Sequence, residues 1–227
     1  MKKNVLIIGL GRLGLSLVES FSKLNIDVIG IDTDEEAVNK AINIIPYAYI
    51  CDSTKEEALL EIGIKNIDMA IIALGQDNSN GTVSSIMTAI LLKRLGVEKI
   101  IVRLDDERYK ETFEAIGVTE FISPLRIASD RIANRYSLDN IVDYFNIASE
   151  FSTFEIAVQE NFKPILLTDL NSRKRFGMNI ILIQRNSKKF IPNSNDYINP
   201  NDHIYAFGTR NDIGKFEDFL NNNVVKK

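Results

Sequence analysis

The chain has 227 residues but only one cysteine, Cys51, and one histidine, His203. One cysteine cannot form a disulfide within the chain, which is typical of a protein from a reducing compartment. Apolar runs fall short of the roughly 20 residues that a membrane-spanning helix needs, so no direct membrane insertion is expected. Basic residues are scattered and the net charge is −4. The composition therefore gives no sign of a nucleic-acid surface.

A glycine fingerprint stands directly after the first apolar run. It reads Gly9-Leu10-Gly11-Arg12-Leu13-Gly14, and a helical pattern follows it. In such a motif the first glycine permits a tight turn, the second lets the backbone approach a phosphate, and the third lets the helix pack closely on the sheet. Asp32 ends the second apolar run about 20 residues later, where an acid binds a ribose hydroxyl. The pattern predicts a nucleotide site at a helix N-terminus; the alternative is a glycine-rich turn in a Rossmann-like sheet that holds no ligand.

The first 137 residues alternate strand and helix patterns and are expected to form one domain. Six short apolar runs bounded by turn residues predict strands at Val5–Ile8, Val28–Asp32, Ala48–Cys51, Met69–Leu74, Ile100–Arg103 and Glu120–Ile122. Capping-box sequences at Thr33-Asp34-Glu35-Glu36 and Ser53-Thr54-Lys55-Glu56 predict two helix starts. This order predicts an α/β fold, with a doubly wound parallel Rossmann sheet.

Ligands bind such sheets at the carboxyl ends of the strands, where the strand order reverses. The residues that follow the predicted strands are therefore further candidates for nucleotide binding: Thr33, Asp52, Ser53, Ala73, Leu74, Gly75, Asn78 and Arg103. Some have a purely structural alternative. Asp52 or Ser53 would cap a helix, Asn78 would be a turn residue, and Arg103 would pair with Asp105 or Asp106.

Beyond Pro124 the pattern changes. A helix is predicted at Leu125–Tyr136, then a linker with a crossover helix over residues 138–150, then a small α+β domain over residues 151–227. Within that domain we expect strands at Phe154–Val158, Asn179–Gln184, Lys189–Pro192 and His203–Phe207, and helices at Ile165–Phe176 and Ile213–Leu220. The predicted helix and the segment Leu138–Phe145 carry more apolar residues than a monomer would leave exposed. We therefore expect them to bury against another copy of the chain.

Both halves of the chain resemble the RCK family. The glycine fingerprint, Asp32, Cys51-Asp52-Ser53-Thr54, and Ile62-Gly63-Ile64 followed by Asp68–Ala73 are similar to an RCK N (TrkA-N) domain. Arg175-Phe176-Gly177, the predicted strand Ile180–Arg185 and the segment Pro200–Gly208 are similar to an RCK C (TrkA-C) domain. The resemblance covers essentially the whole chain, and it is to the regulatory subunits of Ktr/Trk-type potassium uptake systems.

The resemblance implies a regulatory ring and not an enzyme. Family members bind nucleotide in each N domain and form homodimers that assemble into octameric rings. The ring is cytoplasmic and docks on a membrane potassium-translocating subunit at the inner face of the cell membrane. The implied ligand is ATP or ADP, with NAD(H) as the alternative; Asp32 would bind the ribose, and Arg12 would reach the phosphates.

The resemblance also implies a second ligand in the C domain. Cyclic di-AMP would bind at Arg185, Asn186, Ile191 and Pro192, which alternatively form an ordinary polar strand end and an edge proline. Leu125 departs from the family pattern, because some members place an acid directly after the matching proline to hold a cation near the phosphates. No metal ligand is assigned, and cation assistance would need other groups here.

Two other functions stay open from the sequence. One is a nucleotide sensor, for instance of NAD(H), with another partner. The other is an NAD-dependent dehydrogenase, which needs a general acid or base near the reacting oxygen. We interpret His203 as a turn or interface residue and Cys51 as a buried structural thiol. No catalytic residue is therefore assigned.

Overall fold

The computed structural model describes residues 3–24, 26–75, 79–118, 120–136, 140–148 and 150–225. The chain divides into two compact units, Met1–Ile127 and Ala128–Lys227. Among the described residues, no helix combines the length and the apolar character needed to cross a membrane. The domain limits at residues 137 and 150 stay a prediction.

The first unit contains a six-stranded parallel sheet. Its strands are β1 (Lys3–Ile8), β2 (Ile26–Asp32), β3 (Tyr47–Ile50), β4 (Met69–Ile72), β5 (Lys99–Arg103) and β6 (Glu120–Ile122). They lie in the order β3-β2-β1-β4-β5-β6, so the order reverses between β1 and β4. This confirms the predicted doubly wound sheet, whose switch point lies next to the glycine fingerprint.

Helices cover both faces of this sheet. They are α1 (Arg12–Ser22), α2 (Glu35–Ile42), α3 (Glu56–Glu61), α4 (Ser79–Arg94) and α5 (Lys110–Ile116), with 3-10 turns at Ile64–Asn66 and Glu107–Tyr109. A further helix, α6 (Pro124–Arg135), begins in the first unit, and its residues from Ala128 onward belong to the second. Alternate residues of β1 enter two separate cores, Leu6 and Ile8 on one face and Val5 and Ile7 on the other. Because both faces are buried, the strand is a continuous apolar run.

The second unit is a small α+β domain, as predicted. Its strands are β7 (Ile141–Asn146), β8 (Phe151–Ala157), β9 (Ile165–Leu166), β10 (Asn179–Arg185), β11 (Lys188–Phe190), β12 (Tyr197–Ile198) and β13 (His203–Thr209). Its helices are α7 (Leu167–Leu170), α8 (Ser172–Phe176) and α9 (Arg210–Asn222). Five strands form an antiparallel sheet in the order β11-β10-β13-β8-β7, and β12 pairs with β9. The long helix α9 packs on β13 and β8 and buries Ile213 and Phe216 in the core of the unit.

Two predictions in this region are wrong. The crossover helix expected within residues 138–150 is replaced by strand β7, although residues 137–139 and 149 lie outside the described part. Tyr144 of β7 faces Phe154 of β8, and β-branched and aromatic residues favour such pairing over a helix. The single helix expected at Ile165–Phe176 is split, because Asn171 adopts a left-handed backbone conformation with φ of 44° between α7 and α8.

Candidate functional site

The glycine fingerprint forms a tight loop between β1 and α1. Gly9 has φ of +91°, and its N–H donates to the carbonyl oxygen of Ile31 at 2.9 Å. A Cβ on Gly14 would lie only 1.8 Å from the carbonyl oxygen of Gly9. The backbone turn requires a glycine at the first position, and the packing of helix against loop requires one at the third.

Gly11 differs from its two neighbours. Its φ is −68°, which any residue adopts, and a Cβ there would have no atom within 4 Å. The protein's own packing therefore does not require glycine at this position. The open space above the backbone fits the close approach of a ligand phosphate, which is the role that the motif predicts.

The N-terminus of α1 is available to an anion. Gly11 is the N-cap and makes no side-chain capping bond, and the first turn of the helix contains no acidic residue. Arg12, at the first helical position, is exposed. The free N–H groups and the positive end of the helix dipole thus lie beside the open space at Gly11, and this arrangement favours phosphate.

Asp32 lies at the end of β2, where the sequence predicts the ribose-binding acid. Its Oδ2 accepts a hydrogen bond from the N–H of Leu10 at 2.6 Å, and its Oδ1 accepts one from the N–H of Asp34 at 3.0 Å. The carboxylate is therefore fixed against the glycine loop. Each oxygen keeps a further lone pair, so both can still accept from ribose hydroxyls.

A cavity of about 90 Å³ opens between the ends of these strands. Six predicted residues line it: Gly9, Asp32, Thr33, Asp52, Ser53 and Leu74. The cavity is smaller than the roughly 300–1,000 Å³ of typical ligand pockets. It would hold only part of a nucleotide, and the phosphates would extend over the open side at Gly11.

Five lining residues were not predicted as ligand contacts: Ile8, Ile31, Cys51, Thr54 and Ser84. Cys51 is buried, and its N–H donates to the carbonyl oxygen of Asp32 at 2.8 Å. Burial raises the pKa of the Cys51 thiol, so the thiol stays protonated and acts as packing. Ser84 reaches the site from α4, and its position in the sequence carries no motif that would reveal this.

Asp52 and Ser53 do not cap α3, whose N-cap is Lys55. Asp52 Oδ1 instead accepts from the N–H of Thr54 at 3.0 Å and from its hydroxyl at 2.6 Å. These bonds, the side-chain bond first, lower the pKa of the Asp52 carboxyl and keep it anionic. The hydroxyl of Ser53 is buried 2.8 Å from that of Thr88 on α4.

The remaining nucleotide candidates are less closely tied to this cavity. Ala73 is buried and its N–H donates to the carbonyl oxygen of Ile8 at 2.7 Å, which extends the pairing of β1 with β4. Gly75 is exposed, Leu13 is half-buried, and Asn78 lies outside the described residues. Arg103 bonds Asp105 at 2.6 Å and is not among the residues that line the cavity.

The four C-domain candidates lie on the hairpin formed by β10 and β11. Arg185 donates through Nε and Nη2 to the two oxygens of Asp202, each at 2.8 Å, and Nη2 also donates to the carbonyl oxygen of Tyr197. Asp202 is fully buried, and its hydrogen bonds raise the pKa of Arg185. Asn186 lies in the turn with φ of 49°, while Ile191 is 79% exposed next to the half-buried Pro192.

His203 directly follows Asp202, the partner of Arg185, in the chain. It is the first residue of β13, and its Nδ1 is 2.8 Å from Oε1 of Glu155 on the neighbouring strand β8. The pair sits on the sheet of the second unit, so the only histidine of the chain is engaged with a carboxylate there.

The fold and the site define a nucleotide-binding Rossmann domain joined to a small antiparallel domain. Residues 5–124 match the TrkA-N domain and residues 165–221 match the TrkA-C domain. The chain belongs to the RCK family of TrkA-N and TrkA-C proteins.

Relatives extend over nearly its whole length. Ktr system potassium uptake protein C of Bacillus subtilis is 33% identical, over 96% of this chain and 97% of that protein. Ktr system potassium uptake protein A of the same species is 29% identical, over 95% and 96%. The solved structure of the GsuK channel bound to NAD shares the fold with a TM-score of 0.65 at 13% identity, over all of this chain and 41% of that one. The chain thus spans less than half the length of that channel.

Proposed function

We propose that this protein is the cytoplasmic regulatory subunit of a Ktr-type potassium uptake system and that nucleotide binding in its first domain controls the membrane subunit. The observation that carries the proposal is the uncapped N-terminus of α1 beside the open backbone of Gly11, with Asp32 fixed next to both. The potassium uptake proteins to which the chain is similar over nearly its full length support the biological setting. No catalytic step is part of this proposal.

The proposed ligand is ATP or ADP, with NAD(H) as the alternative. Asp32 suits an unphosphorylated ribose in any of them, because its carboxylate would repel the 2′-phosphate of NADP. Arg12 is exposed at the start of α1, where the helix dipole disfavours a cation unless an anion compensates it. A guanidinium binds phosphate in a bidentate manner, so Arg12 would report the number of phosphates.

Calorimetric titration of one preparation with ATP, ADP, NADH and NAD tests this proposal. Asp32→Asn should lower the affinity for the preferred nucleotide by about tenfold to a hundredfold, because it removes a charge-assisted hydrogen bond to the ribose. Asp130→Asn is the matched control, since Asp130 is exposed on α6. Equal affinities in the wild-type protein and a folded Asp32→Asn variant would remove Asp32 from the site.

Assembly into homodimers and then an octameric ring is part of the same proposal. Leu125, Ile127 and Ile132 of α6 are each at least 60% exposed, and Tyr136 directly after the helix is 77% exposed. So much apolar surface on one element favours burial against a second copy. In light scattering the particle should have a mass far above 25.6 kDa; a strict monomer at micromolar concentration would contradict the ring.

Gating is tested by potassium flux. Vesicles that contain the membrane subunit and this protein should differ in flux between ATP and ADP, with ATP favouring conduction. Equal flux with ATP, with ADP and without nucleotide would reject nucleotide control even if binding were tight. Enzymatic turnover of NADH in the same preparation would instead favour the dehydrogenase alternative, and capture of a partner other than a potassium-translocating protein would favour a different sensor.

Cyclic di-AMP is the proposed second ligand, at the β10–β11 hairpin. The exposed Ile191 beside Pro192 offers an apolar contact for a base, while Arg185 is held in place by Asp202. Ile191→Ala should weaken cyclic di-AMP binding in calorimetry without lowering stability. Val225→Ala, another exposed apolar residue of the second unit, is the control. Unchanged affinity in Ile191→Ala would place any cyclic di-AMP site elsewhere.

A further inference from the structure

A second cavity lies in the C-terminal unit and belongs to neither proposed site. Its volume is about 370 Å³, within the usual range of ligand pockets. Tyr144, Glu150, Ser152, Thr209, Arg210 and Asn211 line it. In the sheet, Ser152 pairs with Gly208 near the end of β13, whereas Gln184 of β10 pairs with His203 at its beginning. The cavity and the β10–β11 hairpin therefore lie at opposite ends of the sheet.

The start of α9 forms one wall of this cavity. The helix has 13 residues, and Thr209 is its N-cap. Thr209 Oγ accepts from the N–H of Asp212 at 3.3 Å and donates to the carboxylate of Asp212 at 2.6 Å. Asp212 is thereby bound to the cap, and no described side chain caps the N–H groups of Arg210 and Asn211. These groups are donors for an acceptor in the cavity.

Ser152 gives independent evidence of a ligand. Its side chain is only 4% exposed and lines the cavity. Among the described residues, none forms a hydrogen bond with its hydroxyl. The hydroxyl keeps some accessible area, and as part of the cavity lining it can donate to or accept from a molecule that occupies the cavity. A polar atom of a ligand in the cavity would supply the partner.

The charges around the cavity select the kind of ligand. Arg210 and Glu150 are exposed, and neither forms an ion pair or a side-chain hydrogen bond with another described residue. The charges of these two lining residues cancel, and the carboxylate of Asp212 adds a negative charge that is already hydrogen-bonded to Thr209. A phosphate dianion would therefore meet one guanidinium and be repelled by these carboxylates. A simple cation would be attracted by the carboxylate of Glu150 and repelled by the guanidinium of Arg210. A molecule that carries one charge of each sign satisfies both residues.

We propose that this cavity binds a small zwitterion, namely a free α-amino acid. Its carboxylate accepts from the guanidinium of Arg210 and from the first N–H groups of α9, and its ammonium group donates to Glu150. Ser152 bonds the same carboxylate from the floor of the cavity. Tyr144, whose ring packs against Phe154 with centroids 5.6 Å apart, provides a fixed wall for the side chain of the ligand.

Calorimetry on the full-length chain tests the charge requirement. The probes are glycine, L-alanine and L-glutamine, compared with acetate, methylammonium and inorganic phosphate. At least one amino acid should bind about tenfold more tightly than any of the three singly functional ions, since each charged contact contributes about a tenfold factor or more. Acetate or phosphate binding as tightly as the amino acids would overturn the proposal. So would the absence of heat from every amino acid at tens of millimolar.

Variants then locate the site. Arg210→Ala and Glu150→Gln should each lower the affinity for the most tightly bound amino acid by about tenfold or more. The matched controls Arg173→Ala and Glu160→Gln alter exposed charges of the same unit outside the cavity and should leave affinity unchanged. Ser152→Ala should weaken amino-acid binding while leaving thermal stability unchanged, because the hydroxyl bonds no described residue of the protein. Lower stability with unchanged affinity in Ser152→Ala would show a purely structural serine and refute the assignment.

Discussion

Replacing Gly11 and Gly14 by alanine, one at a time, separates what the glycine loop needs for folding from what it needs for the proposed nucleotide. Both residues belong to one motif and lie three positions apart. A Cβ on Gly14 would lie 1.8 Å from the carbonyl oxygen and 2.9 Å from the carbonyl carbon of Gly9, whereas a Cβ on Gly11 would meet nothing within 4 Å. Alanine should therefore lower the stability of the protein at position 14 and the affinity for nucleotide at position 11.

The magnitude for Gly14→Ala follows from its backbone clash. Overpacking typically costs 1–3 kcal/mol, and a clash with backbone belongs at the upper end, about 3 kcal/mol. Alanine regains about 1 kcal/mol of helix propensity, since Gly14 lies inside α1. The net loss is about 2 kcal/mol, which lowers Tm by about 8 °C at roughly 4 °C per kcal/mol.

Gly11→Ala should be close to neutral for stability. Alanine reduces the entropy of the unfolded chain by about 0.4–1 kcal/mol but is a poorer N-cap than glycine by a similar amount. The Tm should therefore change by no more than about 2 °C. The added methyl group occupies the space in front of the backbone, so nucleotide affinity should fall about tenfold or more.

Scanning calorimetry and nucleotide titration on both variants provide the assay. Gly11→Ala should lose nucleotide affinity at unchanged Tm, and Gly14→Ala should have a lower Tm. Full nucleotide affinity in Gly11→Ala would show that the phosphates do not approach this loop. A large loss of Tm in Gly11→Ala would show that its open surroundings do not describe the folded protein.

Three further results are expected. Arg12→Ala should lower the affinity for ATP more than the affinity for ADP in calorimetry if the guanidinium contacts the terminal phosphate. Equal losses of affinity would show that Arg12 contacts a phosphate that both nucleotides share. Asp202→Ala should lower the free energy of unfolding by about 2 kcal/mol in urea titration, because it leaves Arg185 without its bidentate partner while a third of that side chain stays in water. Thr54→Val removes the hydroxyl bond, the largest of the causes that lower the pKa of Asp52, and keeps the backbone N–H bond. Its small stability deficit should therefore be present above about pH 4 and vanish as pH falls through the folded pKa; a deficit that persists in acid would assign it to packing.

The sheet of the first unit was predictable because its strands are buried on both faces and lie between clear turn signals. β7 was not, because Ile141–Asn146 shows neither a continuous apolar run nor a regular apolar and polar alternation, and its pairing with β8 is a contact between segments that local periodicity does not reveal. The splitting of the predicted helix at Asn171 likewise depends on one backbone angle. Local patterns specify elements whose apolar pattern is regular, while elements without a regular pattern are decided by what they pack against.

Within the site, the fingerprint and Asp32 were predictable because their spacing reflects the turn and the strand that carry them. Ser84 reaches the cavity through the packing of α4, and Thr54 reaches it through a turn closed by Asp52. The capping-box pattern at Ser53 was misleading, because Ser53 does not cap α3. Its hydroxyl instead forms a buried hydrogen bond with that of Thr88. Polar residues after a strand indicate the ligand edge but do not fix which group each of them bonds.

The hydrogen bond from Leu10 to Asp32 restricts where nucleotides can be distinguished. ATP and ADP share the same ribose, so both present the same hydroxyls to a carboxylate that is already fixed against the glycine loop. A ligand shifts a protein between two conformations only by binding them with different affinities. In the proposed complex, any difference between ATP and ADP would arise where the two ligands differ, at the phosphates, which would lie along the N-terminus of α1 and near the exposed Arg12. The cavity at Asp32 would then supply affinity common to both nucleotides, and the start of α1 would supply the discrimination that regulation requires.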